Sequence, residues 1–479
     1  MKNIRFQATE RAIVIAFLPA AQATRPTGNP RALGLALAAM MLLPGVAAAA
    51  PWRAGVAREN ITPPEFMWMS GYASRNHPAD GKLTDLWAKA LVLEDASGKR
   101  VALVTLDLVG IDRDLSRAVC SGIESRTGLT RAQIALNCSH THTGPVVGRN
   151  LRAMYFLDDA QLARATAYTD RLEKQVVEVV ARAIENLQPA DVTFGAGQAT
   201  FAVNRRNNPE AEVPKLREQG ALRGPVDHEV PVLAVRSPEG VLRAVAFDYA
   251  CHATVLDAYQ WSGDYPGFAQ IELEKKHPDL VALFVAGCGA DQNPLPRRTP
   301  ELAQTYGARL AQAVEDVLAA PMQPLSGEIA AVYREIPLAL DTLPTREELE
   351  QQTRSDNKYV VSRAKLLLAQ LDQTGSLASD YPYPISTWRL GDGPLWVFLG
   401  GEVVVDYALR LKRELATLSV WPAGYSHDVM AYIPSLRVLK EGGYEGGGAM
   451  VYYGLPTVWS PQVEESIVAE VRRQAGELK

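Results

Sequence analysis

The sequence predicts an α/β fold: a mixed β-sheet core flanked by helices, built as a single large domain. Short apolar runs over residues 86–93, 101–106, 134–136, 242–249 and 280–285 are interleaved with amphipathic stretches over 112–127 and 160–187, the pattern of strands connected by helices. Several of the runs end in polar residues: Asp107, His140 to His142, His252 and Asp291. In open α/β sheets the carboxyl edge is where sites are assembled. No internal repeat and no linker-like segment interrupts residues 51–479, so that stretch reads as one unit.

The bulk numbers agree with this. Of 479 residues, 47% are hydrophobic and 22% charged, as in globular proteins, and the length suits one large α/β domain or two to three average ones. The net charge of −5, with no long basic run, argues against a nucleic-acid partner. Cys120, Cys138, Cys251 and Cys288 are too few and too scattered for a disulfide scaffold, although one disulfide stays open. None form C-x-x-C, which argues against dithiol redox chemistry.

In chain order, residues 31–50 have the pattern of a secretory signal. Arg31 precedes an apolar stretch over 32–43, a Pro44-Gly45 break and small residues up to Ala50. The apolar part is shorter than the ~20 residues of a spanning helix. Residues 1–30 ahead of it are unusual, so translation is expected to start later, or the N-terminal region to be an extension. Residues 1–50 are set aside as extension and signal, which places the mature protein in the periplasm or outside the cell.

Residues 54–57 lead into Ile61-Thr62-Pro63 and then Gly71-Tyr72. The strands 86–93 and 101–106 flank a polar turn, the helix 112–127 follows, and the strand 134–136 runs into His140-Thr141-His142. Over 160–187, Leu172, Val176, Val177, Val180 and Ile184 make one apolar helix face. Short strands at 192–194 and 201–203 precede Asn204-Arg205, and strands 230–235 and 242–249 precede Cys251-His252. Asp264-Tyr265-Pro266-Gly267 opens the helix 268–276, with Asp264 the expected cap. After the strand 280–285 come the helix 301–319 and the strand 329–336. Residues 345–371 are helical, with Thr345 and Glu348 as a capping box, and read as a helical insertion over 344–375. The strands 388–390 and 395–399 form a hairpin that runs into Gly400-Gly401-Glu402 and a helix over 403–415. The last helix starts at Ser460, an N-cap, with Pro461 in its first turn.

The chemistry concentrates at His140-Thr141-His142. Two residues apart at a strand end, the two imidazoles share a face. Neutral imidazole is the commonest metal ligand, so H-x-H there is a candidate zinc half-site. Two unrelated loop histidines are the alternative, and His252 at a second strand end tips the balance toward a site. On residue type alone, Glu402 serves equally well as an acidic partner of a helix N-terminus, and Tyr432 and Tyr444 as packing residues. His77, His228, His277 and His427 read as surface or structural.

Taken together, certain stretches resemble the catalytic N-terminal domain of neutral/alkaline non-lysosomal ceramidases, over about residues 54–453. They are Ile61-Thr62-Pro63 with Gly71-Tyr72, His140-Thr141-His142-Thr143-Gly144-Pro145, Asn204-Arg205, His252, Asp264-Tyr265-Pro266-Gly267, Gly400-Gly401-Glu402, Tyr432 and Tyr444-Glu445-Gly446. The family's C-terminal β-sandwich domain has no counterpart before Lys479. The resemblance implies a zinc amidohydrolase that splits the amide of ceramide or a related N-acyl lipid. It implies one Zn2+ held by His140, His252, Glu402 and Tyr432. His142 would then assist proton transfer, Tyr444 would hold the oxyanion, and Arg205 would contact the substrate. Where the family has Gly-Asp-x-Ser-Pro this chain reads Ala290-Asp291-Gln292-Asn293-Pro294. Asn293 cannot attack a carbonyl, so the nucleophile is expected to be metal-activated water. The implied partners are a small lipid amide and, peripherally, a membrane surface, with no obligate protein partner. Two alternatives stand: a secreted zinc esterase or lactonase on another small acyl substrate, and a non-catalytic lipid- or glycan-binding member of the fold.

Overall fold

The long apolar runs are strands buried on both faces, and they line up in one mixed sheet. In the computed structural model, which describes residues 52–478, the sheet has nine strands. The secretory signal and extension expected over residues 1–50 lie outside the described residues. From one edge the order is Val281–Ala286, Leu242–Tyr249, Glu229–Arg236, Gln188–Gln198, Trp52–Asn60, Trp87–Glu94, Arg100–Leu106 and Ile134–Cys138, with Gln323–Pro324 beside Gln188–Gln198. The outermost pair at each edge is parallel and the pairs between are antiparallel.

Strand alternation sorts the core into layers. Ala88, Ala90 and Val92 face the helices Arg113–Thr127 and Asp159–Glu185. On the same face of the other half, Val232, Ala234, Phe247 and Phe284 meet Asp264–Lys276 and Pro300–Ala319. Leu91, Leu93, Leu233 and Leu283 point the opposite way, against Trp388, Trp396 and Trp421 of a four-stranded sheet. That second sheet is Ile329–Ala339, Asp380–Leu390, Leu395–Leu399 and Val420–Ala423, backed by the helices Val405–Glu414 and Val463–Glu477. The result is a helix–sheet–sheet–helix stack, the expected α/β class with a mixed sheet at its centre. The described residues 52–478 fall within one compact unit.

The sheet's two edges meet at a polar contact. Asn137, fully buried, accepts from Ala286 N at 2.8 Å through Oδ1 and donates from Nδ2 to Gly424 O at 2.8 Å and Ser426 Oγ at 3.1 Å. The strand leading to His140 is thereby tied to a strand of the opposite edge.

Four local expectations are corrected. The strand expected at 192–194 runs Gln188–Gln198. Its glycines, which weaken the strand signal, make room for the helix Pro300–Ala319: a Cβ on Gly195 or Gly197 would come within 2.9 or 2.7 Å of Val317. The helical stretch 345–371 is two helices, Arg346–Gln352 and Lys358–Thr374, with the Thr345–Glu348 capping box present and Asn357 capping the second. The last helix is Val463–Glu477 with Gln462 at its N-cap. Ser460 does not cap it: its Oγ has no hydrogen-bond partner, and its N–H is bound to Ala339 O at 3.0 Å, alongside the neighbouring strand. Nor does Asp264 cap a helix. The helix begins at Asp264 itself, whose carboxylate accepts from Leu256 N at 2.8 Å and Val255 N at 3.3 Å, just past His252.

Asp428 provides a pH test of this packing. Its carbonyl accepts from Gly401 N at 2.7 Å, and its buried carboxyl pairs with the Tyr381 hydroxyl at 2.5 Å. Burial pushes that carboxyl up to about 7. A carboxyl raised on folding contributes stability that is complete below its unfolded value of ~3.9 and is lost as pH rises through the folded one. The unfolding free energy of Asp428→Asn relative to the native protein should therefore climb between pH 4 and 7 and level off above, by at most about 4 kcal/mol. A difference constant across pH would show that Asp428 is not protonated in the fold.

Candidate metal centre

Both strand-end histidines are held by their Nδ1 side, which turns Nε2 toward the same point. His140 follows Ile134–Cys138 in a left-handed backbone conformation, φ 60°, and its Nδ1 lies in hydrogen-bond contact with Val109 O. A carbonyl only accepts, so Nδ1 carries the proton and Nε2 a lone pair. His252 follows Leu242–Tyr249 and is fixed through its N–H to Gln292 O at 2.9 Å. Its Nδ1 lies 3.4 Å from Gly289 O and 3.3 Å from the Tyr425 hydroxyl. The Nε2 atoms of His140 and His252 are 3.1 Å apart.

Glu402 and Tyr432 come from the second sheet's side. The strands Glu402–Val403 and Tyr432–Ile433 pair in parallel, in a register that sets Glu402 beside Tyr432. Gly401 admits this approach: its φ is +76°, and a Cβ there would lie 2.7 Å from Ala431 O. Glu402 Oε2 is 3.1 Å from His140 Nε2 and 3.3 Å from His252 Nε2, while the Tyr432 hydroxyl is 3.5 Å from His252 Nε2. The helix expected from residue 403 starts at Val405, two residues later, because 402 and 403 are in this pairing.

The electrostatics call for a cation. Burial, then His140 and Arg205, pushes His252 well below the ordinary histidine value, so its ring is neutral. Glu402 Oε2 is buried and has no hydrogen-bond partner. Nε2 atoms of two imidazoles and a carboxylate oxygen therefore converge at 3.1–3.3 Å, a donor set that a positive ion lying among them would satisfy.

His142 joins the same group. Its Nε2 is 3.2 Å from His140 Nε2, and the three histidines His140, His142 and His252 are grouped closely enough to hold a metal ion. Distance alone does not separate His142 from His140 as the expected division of roles did. Exposure does distinguish them: His142 is 9% exposed, against 2% for His140 and 1% for His252. His142 Nδ1 is buried and unpartnered, so no hydrogen bond fixes its tautomer there. Gly71 allows its close packing, since a Cβ there would lie 2.5 Å from the His142 ring.

Arg205 is engaged by protein groups. It donates from Nε to Glu445 at 2.7 Å, from Nη2 to the Tyr432 hydroxyl at 3.1 Å and from Nη1 to Asn293 Oδ1 at 3.3 Å. Burial and Glu402 push the Tyr432 hydroxyl well up, with Arg205 pulling the other way. Tyr444 is 45% exposed, its ring 5.3 Å from that of Tyr432. The four cysteines are free and buried, so the open disulfide does not form.

Sequence reasoning missed four contributors: Val109 O and Tyr425, which support the histidines, Arg75, which donates to His142 O at 2.9 Å, and Tyr453, which donates to Glu402 Oε1. None carries a local signal. Val109 acts through its backbone, Tyr425 through a left-handed turn with φ 50°, and Tyr453 sits in a four-residue turn among glycines.

The family described as neutral/alkaline non-lysosomal ceramidase, N-terminal, matches residues 52–294, which include His140, His142, Arg205 and His252. The neutral ceramidase of Drosophila pseudoobscura pseudoobscura is 29% identical over 250 residues, 51% of this chain and 35% of that protein. That of Pseudomonas aeruginosa is 26% identical over 247 residues, 49% and 36%. The matches thus span about a third of the length of these curated relatives. The crystal structure of the Pseudomonas aeruginosa neutral ceramidase is similar with a TM-score of 0.68 at 20% identity, over 90% of this chain and 74% of that one. A structure titled "Ceramidase complexed with C2" gives 0.69 at 19% identity. The sequence match takes in just over half of the residues, and the shared fold extends past it: the chain belongs to the neutral/alkaline non-lysosomal ceramidase family.

Proposed function

We propose that this protein is a zinc-dependent amidohydrolase that cleaves the N-acyl amide of ceramide, or of a related N-acyl lipid, to a fatty acid and an amine. The observation that carries the reading is the inward-facing set of lone pairs around the partnerless Glu402 Oε2. Tetrahedral zinc with ligands at about 2.0–2.1 Å has donor–donor edges of about 3.3 Å, close to the 3.1–3.3 Å separations here. His140, His252 and Glu402 would hold the ion, with Tyr432 the more distant fourth ligand.

When bound, zinc supplies a Lewis acid for the amide carbonyl and makes water a nucleophile near neutral pH. His142 lies beside the centre on its more open side. It takes the proton from the attacking water and delivers it to the amine nitrogen as the C–N bond breaks. Tyr444, whose ring is next to Tyr432, donates to the carbonyl oxygen as negative charge builds on it. Arg205 has five N–H donors, and three are in use within the protein, leaving two for polar groups of the substrate. Asn293, buried against Arg205, supplies no nucleophile.

We assign this chemistry to residues 51–479 as one catalytic domain, with 344–375 a helical insertion. The mature protein would begin near Pro51 and act in the periplasm or outside the cell, with N-terminal sequencing of the exported protein as the check. No helix among the described residues is long and apolar enough to cross a membrane. A hydrolysis panel of N-acylsphingosine, N-acyl amino acids and simple esters tests the reaction. Turnover should favour the lipid amide, disappear with a chelator and return with Zn2+. Turnover of esters alone would overturn the amide assignment, and turnover indifferent to chelator would overturn the metal.

A further inference from the structure

Glu402 has two carboxylate oxygens in different surroundings. Oε2 faces His140 and His252 and has no hydrogen-bond partner, whereas Oε1 receives the hydroxyl of Tyr453. Tyr453 is 9% exposed and ends the short turn Met450–Tyr453. Gly454 follows in a left-handed conformation, φ +81°, and lets the chain turn away. The ring belongs to the apolar cluster that holds Met430, Tyr432 and Met450, and Tyr453 also lines a cavity of about 320 Å³ with Val429 and Leu367. The ring is thus seated by packing, and the hydroxyl is aimed at one oxygen of one carboxylate.

We infer that Tyr453 is a positioning residue of the metal centre: its hydroxyl occupies Glu402 Oε1 and so commits Oε2 alone to the ion. The inference rests on the reading of the centre as a metal site. Without the hydroxyl, Oε1 would be a buried charged oxygen with no partner. The carboxylate would then be free to rotate and present both oxygens to the centre. Groups that orient a ligand from outside the coordination sphere typically contribute about 10–100-fold to metal affinity.

The test is zinc affinity, measured by competition with a chromophoric chelator, in the native protein, Tyr453→Phe, Glu402→Ala and the double variant. Phenylalanine keeps the ring, and circular dichroism of the metal-free protein checks the fold. Tyr453→Phe should weaken zinc binding by about 10–100-fold. In the Glu402→Ala background the same change should have no further effect, because the hydroxyl acts through that carboxylate. Unchanged affinity in Tyr453→Phe, or an equal loss without Glu402, would overturn the inference. Failure of the native protein to bind zinc would instead remove the functional reading itself.

Glu402→Gln gives an answer that needs no change at position 453. With Tyr453 donating to the amide oxygen, the NH2 group is turned toward the imidazoles, where it cannot ligate. Zinc binding should then fall by more than about 100-fold, beyond the usual loss for an outer contact. A Glu402→Gln protein that keeps affinity within about 10-fold of native would have its amide oxygen on the metal, contrary to the assignment.

Discussion

His140→Ala and His252→Ala should each lose bound zinc and at least about three orders of magnitude in turnover, equivalent to about 4 kcal/mol of transition-state stabilisation. Each ring contributes an Nε2 lone pair at the point where Glu402 Oε2 arrives. Each is also pre-set from behind, His140 by Val109 O and His252 by Gly289 O and Tyr425. The measurements are zinc content of the purified variants and single-turnover rates on N-acylsphingosine. Full metal occupancy in both variants would end the model of the centre. Full metal with lost turnover would move these histidines from the ion to the substrate.

Asn137→Ala should have the largest effect on stability. The side chain bridges the two edges of the nine-stranded sheet, and its partners are all buried. Alanine would leave Ala286 N–H without its acceptor and remove the Nδ2 bonds to Gly424 O and Ser426 Oγ, with Gly424 O keeping Ser426 Oγ as a donor. One buried unsatisfied donor costs about 1–3 kcal/mol and each of the two other hydrogen bonds about 1 kcal/mol, so a loss of about 3–5 kcal/mol is expected in denaturant unfolding. His140 lies three residues along the same chain, so zinc affinity should weaken as well. A loss below about 1 kcal/mol, the worth of one ordinary hydrogen bond, would mean the edges are held together by packing alone.

The strands and helices were legible because their residues repeat locally. Trp87–Glu94, Arg100–Leu106, Leu242–Tyr249 and Val281–Ala286 are buried on both sheet faces, so they read as continuous apolar runs. The strand Gln188–Gln198 was only partly legible, since its glycines answer to a helix more than a hundred residues away. Ser460 and Asp264 misled for a related reason. Both are good capping residue types, but the backbone of Ser460 is paired with Ala339, short of the helix, and the carboxylate of Asp264 binds the loop after His252.

The sequence by itself determined the fold class, the H-x-H at a strand end, and through family resemblance the short set of residues worth placing together. It could not show that His140 and His252 point their Nε2 atoms at one another, because that depends on a carbonyl at Val109 and on a sheet whose edges are joined by Asn137. Nor could it show Glu402 Oε2 left without a partner, or Tyr453 holding the other oxygen. Those are contacts between segments far apart in the chain. A ligand's residue type is written locally, but which of its atoms is free to bind is decided by its neighbours in space.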